Sequence, residues 1–262
     1  MQIEGKVFAV TGAGNGMGRE IALELVRKGA RVAAIDRDEE ALAHTAALAI
    51  VPNRVSIHQG DVTDAAGATK LPGAIEAVHG HVDGLVNIAG IIHRFAHSSD
   101  LTQEEHERVF AVNYWGTVNM CRAFLPTLRQ RPEASLTNMS SLSALVAFAG
   151  QTFYGASKGA VKQYTEGLYQ ELLGENVQVS AIYPGNISTE ISKNSGVAML
   201  DAGSKKVRAT TPRDAGVAIV RGIERGSFRI VVGDDAKALD RLVRLAPRWT
   251  TNLIAKQMAS VL

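Results

Sequence analysis

Tyr154 and Lys158, in the run Tyr-Gly-Ala-Ser-Lys, are the pair of side chains best suited to moving a proton in this sequence. Residues four apart share one face of a helix, so the Lys158 ammonium is expected near the Tyr154 hydroxyl, favouring its ionised form. A phenol alone, with a reference pKa of about 10, is a poor acid or base at neutral pH. Ser141 lies upstream, and the chain opens with Thr11-Gly-Ala-Gly-Asn-Gly-Met-Gly18, which places glycines at 12, 14, 16 and 18. Such a turn lets backbone approach a pyrophosphate closely, and a helix N-terminus favours the phosphate charge. A proton-transfer pair on a nucleotide-binding chain points to redox chemistry.

These residues need a scaffold, and the hydrophobic pattern specifies one. Apolar runs at 6–11, 31–35, 54–59, 82–87, 134–139, 177–182 and 228–232 read as strands separated by segments of helical period. Near-continuous runs such as Val32-Ala-Ala-Ile35 suit strands covered on both faces. The expectation is an α/β, doubly wound, mostly parallel seven-stranded sheet with helices on both faces, folded as one domain over 1–262. Residues 188–211 break the rhythm and read as a substrate loop before a helix opening at Thr211-Pro212.

On that scaffold the polar signals gather at strand ends, where an open parallel sheet binds its ligands. The glycine turn, with Asn15 and Met17 inside it, follows the first strand and Asp36 closes the second. An acid at Asp36 accepts hydrogen bonds from an adenosine ribose and repels a 2′-phosphate, which favours NAD over NADP; Arg37 follows at once as a possible compensating charge. Asp61-Val62, Asn87-Ile-Ala-Gly90, Ser140-Ser141 and Pro184-Gly185 end the next four strands.

With these motifs assembled, the chain resembles the short-chain dehydrogenase/reductase family over nearly all of residues 5–233. The family's Thr-Gly-x-x-x-Gly-x-Gly turn is matched by Thr11, Gly12, Gly16 and Gly18, and its Tyr-x-x-x-Lys by Tyr154 and Lys158. Its Asn-Asn-Ala-Gly is matched by Asn87, Ala89 and Gly90, with Ile88 standing where the family has a second asparagine. Its catalytic serine, thirteen residues before the tyrosine, corresponds to Ser141 rather than Ser140. The resemblance implies Asp61 against the adenine, Asn113 as the helical active-site asparagine, and Pro184, Gly185, Ile187 and Thr189 against the nicotinamide end. It implies hydride transfer between nicotinamide and an alcohol or ketone, with Tyr154 as acid or base, Lys158 on the ribose, Ser141 on the substrate oxygen and Asn113 holding a water. It also implies a homodimer or homotetramer, with Val112, Trp115, Val118 and Val161 at subunit contacts.

Other readings are weaker. A formal charge of +2 and 5% aromatic content argue against nucleic acid as a partner. His79 and His81 read as loop residues without a third ligand, so no metal is expected, and His93 and Arg94 read as surface residues. Cys121, the only cysteine, reads as a small buried side chain. With no signal-like segment before the first strand and no run of about 20 apolar residues, the protein is expected to be cytoplasmic. A cofactor-sensing binding protein on the same fold is the main rival, but such a protein would be expected to lack Tyr154 or Lys158. Ile91, Ile92, Phe95, Leu145, Phe148, Ile191, Val197, Met199 and Leu200 suggest an apolar pocket for a bulky, lipophilic alcohol or ketone.

The tail continues about 30 residues past the last expected strand. Leu239, Leu242, Val243 and Ala246 recur with helical period, Arg241, Arg244 and Arg248 gather on another side, and Trp249, Leu253, Ile254 and Met258 follow Pro247. A helix packed over the active site or a neighbouring subunit is expected, with membrane contact by this basic stretch as the lesser alternative.

Overall fold

The computed structural model describes residues 1–189, 191–197 and 209–258, without the side chains of residues 193 and 194. Met199 and Leu200, expected in the substrate pocket, lie outside the described residues. Seven strands, β1 (Val7–Thr11), β2 (Arg31–Asp36), β3 (Val55–Gln59), β4 (Gly84–Asn87), β5 (Ala134–Met139), β6 (Val177–Pro184) and β7 (Arg229–Val232), form one sheet in the order β3-β2-β1-β4-β5-β6-β7. Every pairing is parallel, and each strand lies within two residues of its expected bounds. This is the Rossmann-type, doubly wound α/β architecture.

The helices are α1 (Gly16–Arg27), α2 (Glu39–Leu48), α3 (Ala65–Ala68), α4 (Leu71–His79), α5 (Gln103–Phe110) and α6 (Gly116–Arg129). They continue with α7 (Thr152–Glu171), α8 (Ile191–Ser195), α9 (Pro212–Glu224), α10 (Asp234–Leu245) and α11 (Pro247–Met258). Strand alternation decides which face each covers. In β1, Phe8 and Val10 point into a core shared with Ile21 and Leu25 of α1 and Ile219 and Ile223 of α9. Val7 and Ala9 point the other way, to Ile75 of α4, Phe124 and Leu128 of α6 and Leu168 of α7. Local chemistry fixes several starts: Thr102 and Glu105 form a reciprocal capping box on α5, and Thr211 caps α9 ahead of Pro212.

Two features were absent from the sequence reading. Between α5 and α6 the helix widens into one π turn, Ala111–Trp115, which carries Asn113. At the N-terminal pole of the sheet, the buried Asp83 accepts hydrogen bonds from the Val7 backbone N–H and the Arg131 guanidinium, with His81 3.0 Å away. His79 and His81 are therefore not free loop residues: His79 is a buried helix terminus and His81 faces Asp83.

The tail forms a helical hairpin. Ala236, Leu239 and Val243 of α10, with Ile254 and Met258 of α11, pack on Leu142, Leu145, Val146 and Phe148, the loop that follows β5. Leu242 and Trp249 do not join this core as their spacing suggested. The inward stripe runs through Val243, and its neighbour Leu242, about 100° round the helix, faces outward. Among the described residues, no helix is long and apolar enough to cross a membrane.

Candidate active site

Winding reverses at β1, which lies between β2 and β4, and a crevice of about 350 Å³ opens beyond the strand ends there. Its walls bring together Gly12, Asn15, Gly16, Met17, Gly18, Asp36, Arg37, Asp61, Val62, Ala89, Gly90 and Thr189. Ile91 and Ile191, expected in the substrate pocket, also line it, and Ile35, Asp38, Gly60, Ile88, Arg108 and Val112 complete it without being expected as ligand contacts. Val112, expected at a subunit contact, lies on the crevice wall in this chain.

The glycine turn is built so that no side chain could replace its hydrogens. A Cβ on Gly18 would sit 2.0 Å from the Gly12 carbonyl oxygen, and one on Gly12 would sit 2.9 Å from the Ala89 nitrogen. Asn15 at the start of α1 makes no side-chain cap, and the first turn of α1 holds no acidic residue. That leaves a cradle of backbone donors suited to a pyrophosphate. Thr45 of α2 and Arg19 support the turn from behind. The Thr45 hydroxyl donates to the Ala13 carbonyl at 2.9 Å and accepts from Arg19 Nε at 3.0 Å, while the same guanidinium bonds the Gly14 carbonyl. Thr11 Oγ1 accepts the N–H groups of Ile88 and Ala89 at 3.0 and 3.2 Å, locking β4's end to β1's.

Asp36 is fixed by backbone. Its carboxylate accepts the Gly14 N–H at 3.0 Å and the Asp38 N–H at 3.2 Å, which holds a negative charge at the crevice rim. Arg37 beside it lines the rim and is exposed.

The proton-transfer group lies along α7. Lys158, 3% exposed, donates from Nζ to the Met139 carbonyl at 2.9 Å, and burial pulls its pKa down to about 8. Burial also pushes the Tyr154 phenol above its ordinary value, opposed by a hydrogen bond with the Ser141 hydroxyl. The Lys158 ammonium, expected near the Tyr154 hydroxyl from the i, i+4 spacing, is directed at the Met139 carbonyl. Of the adjacent serines, Ser140 donates to the Lys158 carbonyl at 2.9 Å and ties β5 to α7. Ser141 instead stands beside Tyr154, its Oγ accepting the Ser143 N–H at 3.1 Å.

Asn113 joins the two halves. Its Oδ1 accepts the Ile91 N–H at 2.8 Å, and its Nδ2 donates to the Ile91 carbonyl and to Ser157 Oγ, each at 3.0 Å. A Cβ on Gly90 would lie 3.1 Å from both Asn113 Oδ1 and Lys158 Nζ, tighter than an ordinary contact, so a side chain there would press on both groups. With both amide donors engaged, the side chain acts as a brace. Asn87 also departs from its expected place. Its side chain points away from the crevice into a buried network, donating to Asn138 Oδ1 at 2.9 Å and to Cys121 Sγ at 3.4 Å.

Pro184 ends β6, Gly185 and Ile187 follow it, and none of the three lines the crevice. Asp235 of α10 packs on Gly185 and accepts the Asn186 N–H at 2.7 Å, so the tail touches this segment as well. A smaller pocket of about 190 Å³ adjoins the crevice through Ile91 and Arg108; Ile92, Val109 and Val197 give it apolar surface, and His93, Arg94, Glu104 and Glu105 complete its wall. His93, expected on the surface, is buried there, with its pKa lowered chiefly by burial; its Nδ1–H donates to the Arg94 carbonyl at 2.7 Å. Arg94 is exposed and pairs with Glu105 at 2.8 Å.

A sequence profile of the short chain dehydrogenase family matches residues 6–199. The chain belongs to that family. Among short-chain dehydrogenase relatives, the Mycobacterium tuberculosis protein SadH, named as an oxidoreductase, is 35% identical over 98% of this chain and 96% of its own. A Burkholderia phymatum short-chain dehydrogenase/reductase, solved with NAD, superposes with a TM-score of 0.83 at 27% identity over 95% of this chain and 96% of that one. A Burkholderia cenocepacia short-chain dehydrogenase, solved with NADP, gives 0.82 at 29% identity over 97% and 99%. The fold therefore accompanies both nicotinamide cofactors, and the chain is an oxidoreductase of the short-chain dehydrogenase family.

Proposed function

We propose that this chain is an NAD-dependent dehydrogenase that interconverts a secondary alcohol and its ketone on a lipophilic substrate. The observation that carries the reading is the Ser141 hydroxyl beside the Tyr154 phenol, with the buried Lys158 ammonium one helical turn on and held by the Met139 carbonyl. The dinucleotide, when bound, supplies the hydride acceptor or donor at its nicotinamide ring.

The glycine turn and the first turn of α1 hold the pyrophosphate through backbone N–H groups, and Asp61, Val62 and Gly90 enclose the adenine. Asp36 retains acceptor capacity beyond its two backbone bonds and takes the adenosine ribose hydroxyls. The same fixed charge opposes a 2′-phosphate, and Arg19, the nearest cation behind the turn, is engaged by Gly14 and Thr45. These points favour NAD. Lys158 would hold the nicotinamide ribose hydroxyls, and Thr189 on the crevice wall, with Pro184, Gly185 and Ile187 leading to it, would flank the nicotinamide end.

Ser141 donates to the substrate oxygen and positions it for Tyr154. In oxidation Tyr154 Oη takes the hydroxyl proton as hydride leaves the same carbon; in reduction it returns that proton to the carbonyl oxygen. Burial raises the phenol's pKa, and the positive charge of Lys158 together with that of an oxidised nicotinamide, when bound, would act in the opposite direction. Asn113 keeps Lys158 and Gly90 in register. The apolar surface that Ile91, Ile92 and Val197 give the adjoining pocket supports a lipophilic substrate.

The test is binding of NADH and NADPH to wild type and Tyr154→Phe, followed by turnover of secondary alcohols and ketones of increasing apolar size. Wild type should bind NADH more tightly and prefer the larger substrates. Tyr154→Phe should bind NADH within about twofold of wild type and lose turnover by about 10³-fold or more. Retained turnover in the variant refutes the acid/base role, and binding without turnover in wild type points to a cofactor sensor.

A further inference from the structure

We infer that the corner between α10 and α11 is a docking surface for an anionic lipid bilayer. The inference is independent of the substrate and of catalysis. Its inner side is accounted for by packing on Leu142, Leu145, Val146 and Phe148. Its outer side is not: Leu242 is 37% exposed, Leu245 84% and Trp249 57%. Side chains this exposed on either side of the helix break at Ala246 protrude from the protein. Protruding apolar residues suit insertion among lipid headgroups, and tryptophan in particular favours the boundary between polar and apolar layers.

Charge distinguishes a bilayer from other occupants. The run 241–258 contains Arg241, Arg244, Arg248 and Lys256 and no acidic residue. Over 234–258 five basic residues stand against Asp234, Asp235 and Asp240, so the hairpin's excess of two positive charges equals the formal charge of the whole chain, +2. Arg244 is paired with Asp240 at 3.0 Å, while Arg241 and Arg248 make no ion pair among the described residues. Arg241 and Arg248, each within a few residues of Leu242, Leu245 and Trp249 along the chain, match an anionic surface with an apolar layer beneath it. Each cation brought to such a surface strengthens binding about fivefold. Because the same hairpin covers the loop after β5, docking would set the Ser141 side of the protein against the lipid.

The full chain in Trp115→Phe form leaves Trp249 as the sole tryptophan. It is mixed with vesicles of equimolar phosphatidylglycerol and phosphatidylcholine, and with phosphatidylcholine alone, while tryptophan emission and co-sedimentation are followed. The anionic vesicles should shift Trp249 emission to the blue and bind at least about tenfold better than neutral ones. Raising salt from about 0.05 to about 0.5 M should reverse most of that difference. Leu245→Ser with Trp249→Ser should abolish co-sedimentation, and Arg241→Gln with Arg248→Gln should remove the anionic preference, all with circular dichroism and thermal melting as for wild type. No binding, or equal binding to both vesicles, overturns the inference. So does sedimentation equilibrium showing that Leu245→Ser dissociates an oligomer, which would assign the surface to a second copy of the chain.

Discussion

An ammonium buried in protein is disfavoured relative to one in water, and Lys158 carries that penalty at the centre of the site. Its pKa falls from 10.5 to about 8, a shift equivalent to about 3 kcal/mol against the folded state at neutral pH. The unfolded chain binds this proton more tightly, so the penalty is full below pH 8 and relieved as pH rises from 8 through 10.5. Lys158→Met should therefore be more stable than wild type at pH 7, by about 1 kcal/mol after the Met139 carbonyl loses its donor, while turnover disappears. Urea titrations at several pH values test this. The advantage of the variant must shrink towards pH 10.5, and a variant less stable than wild type at pH 7 contradicts it. Asp36→Ala removes an acceptor for ribose and releases the Gly14 N–H, so NADH affinity should fall about tenfold and the margin over NADPH should narrow. Calorimetric titration of both cofactors reads this directly.

Among the elements, β3 and α4 hold an acid-sensitive seam. Ser56 Oγ on β3 is 2.8 Å from His58 Nε2 and 2.7 Å from His79 Nε2 at the end of α4. Burial lowers the pKa of both imidazoles, and the Arg31 charge lowers His79 further. Both bind protons more weakly folded than unfolded, so their contribution is intact above about pH 6.5 and lost as the pH falls below it. Thermal melts from pH 8 to 5.5 should decline in wild type and decline less in His58→Gln with His79→Gln; an equal slope would place the sensitivity elsewhere. The strands themselves were legible because their apolar runs are bounded by glycine, asparagine and aspartate. The π turn at Ala111–Trp115 was not, since one extra residue in a helix that runs from Gln103 to Arg129 barely alters its apolar period. Thr45 and Arg19 were equally silent, because a threonine or arginine bonding a carbonyl behind a loop looks like any other polar residue on a helix. Val118 and Val161 were assigned to a subunit contact by resemblance alone, yet both are buried within this chain, and only Trp115 of the expected set presents a largely exposed surface.

Across the whole molecule, the two ends of the sheet divide their work. The C-terminal strand ends carry the crevice, and the N-terminal ends are gathered on Asp83, whose backbone also accepts the Ser135 N–H and donates to the Val7 carbonyl. Removing a buried charge from its partners leaves Arg131 facing an empty place. Asp83→Ala should cost about 3 to 5 kcal/mol in urea unfolding while leaving NADH affinity within about twofold. A matching loss of affinity would mean that the two ends are coupled. The charge pattern that led to the crevice was readable because function clusters where strands end, whereas the stabilising pole draws on Lys6, His81, Asp83 and Arg131, which the sequence scatters.

The Asn87 network gives the molecule an experimental convenience. Cys121 is the only cysteine, it lies wholly inside between Asn87 and Asn138, and burial lifts its thiol to about 12. A sulfhydryl held in its protonated form and shielded from solvent reacts negligibly with maleimides or spin-label reagents near neutral pH. The native chain therefore serves as its own blank for site-directed labelling. A single cysteine introduced on α10, on the rim at Arg37 or on exposed α2 would carry the sole probe, with no need to replace any native residue first.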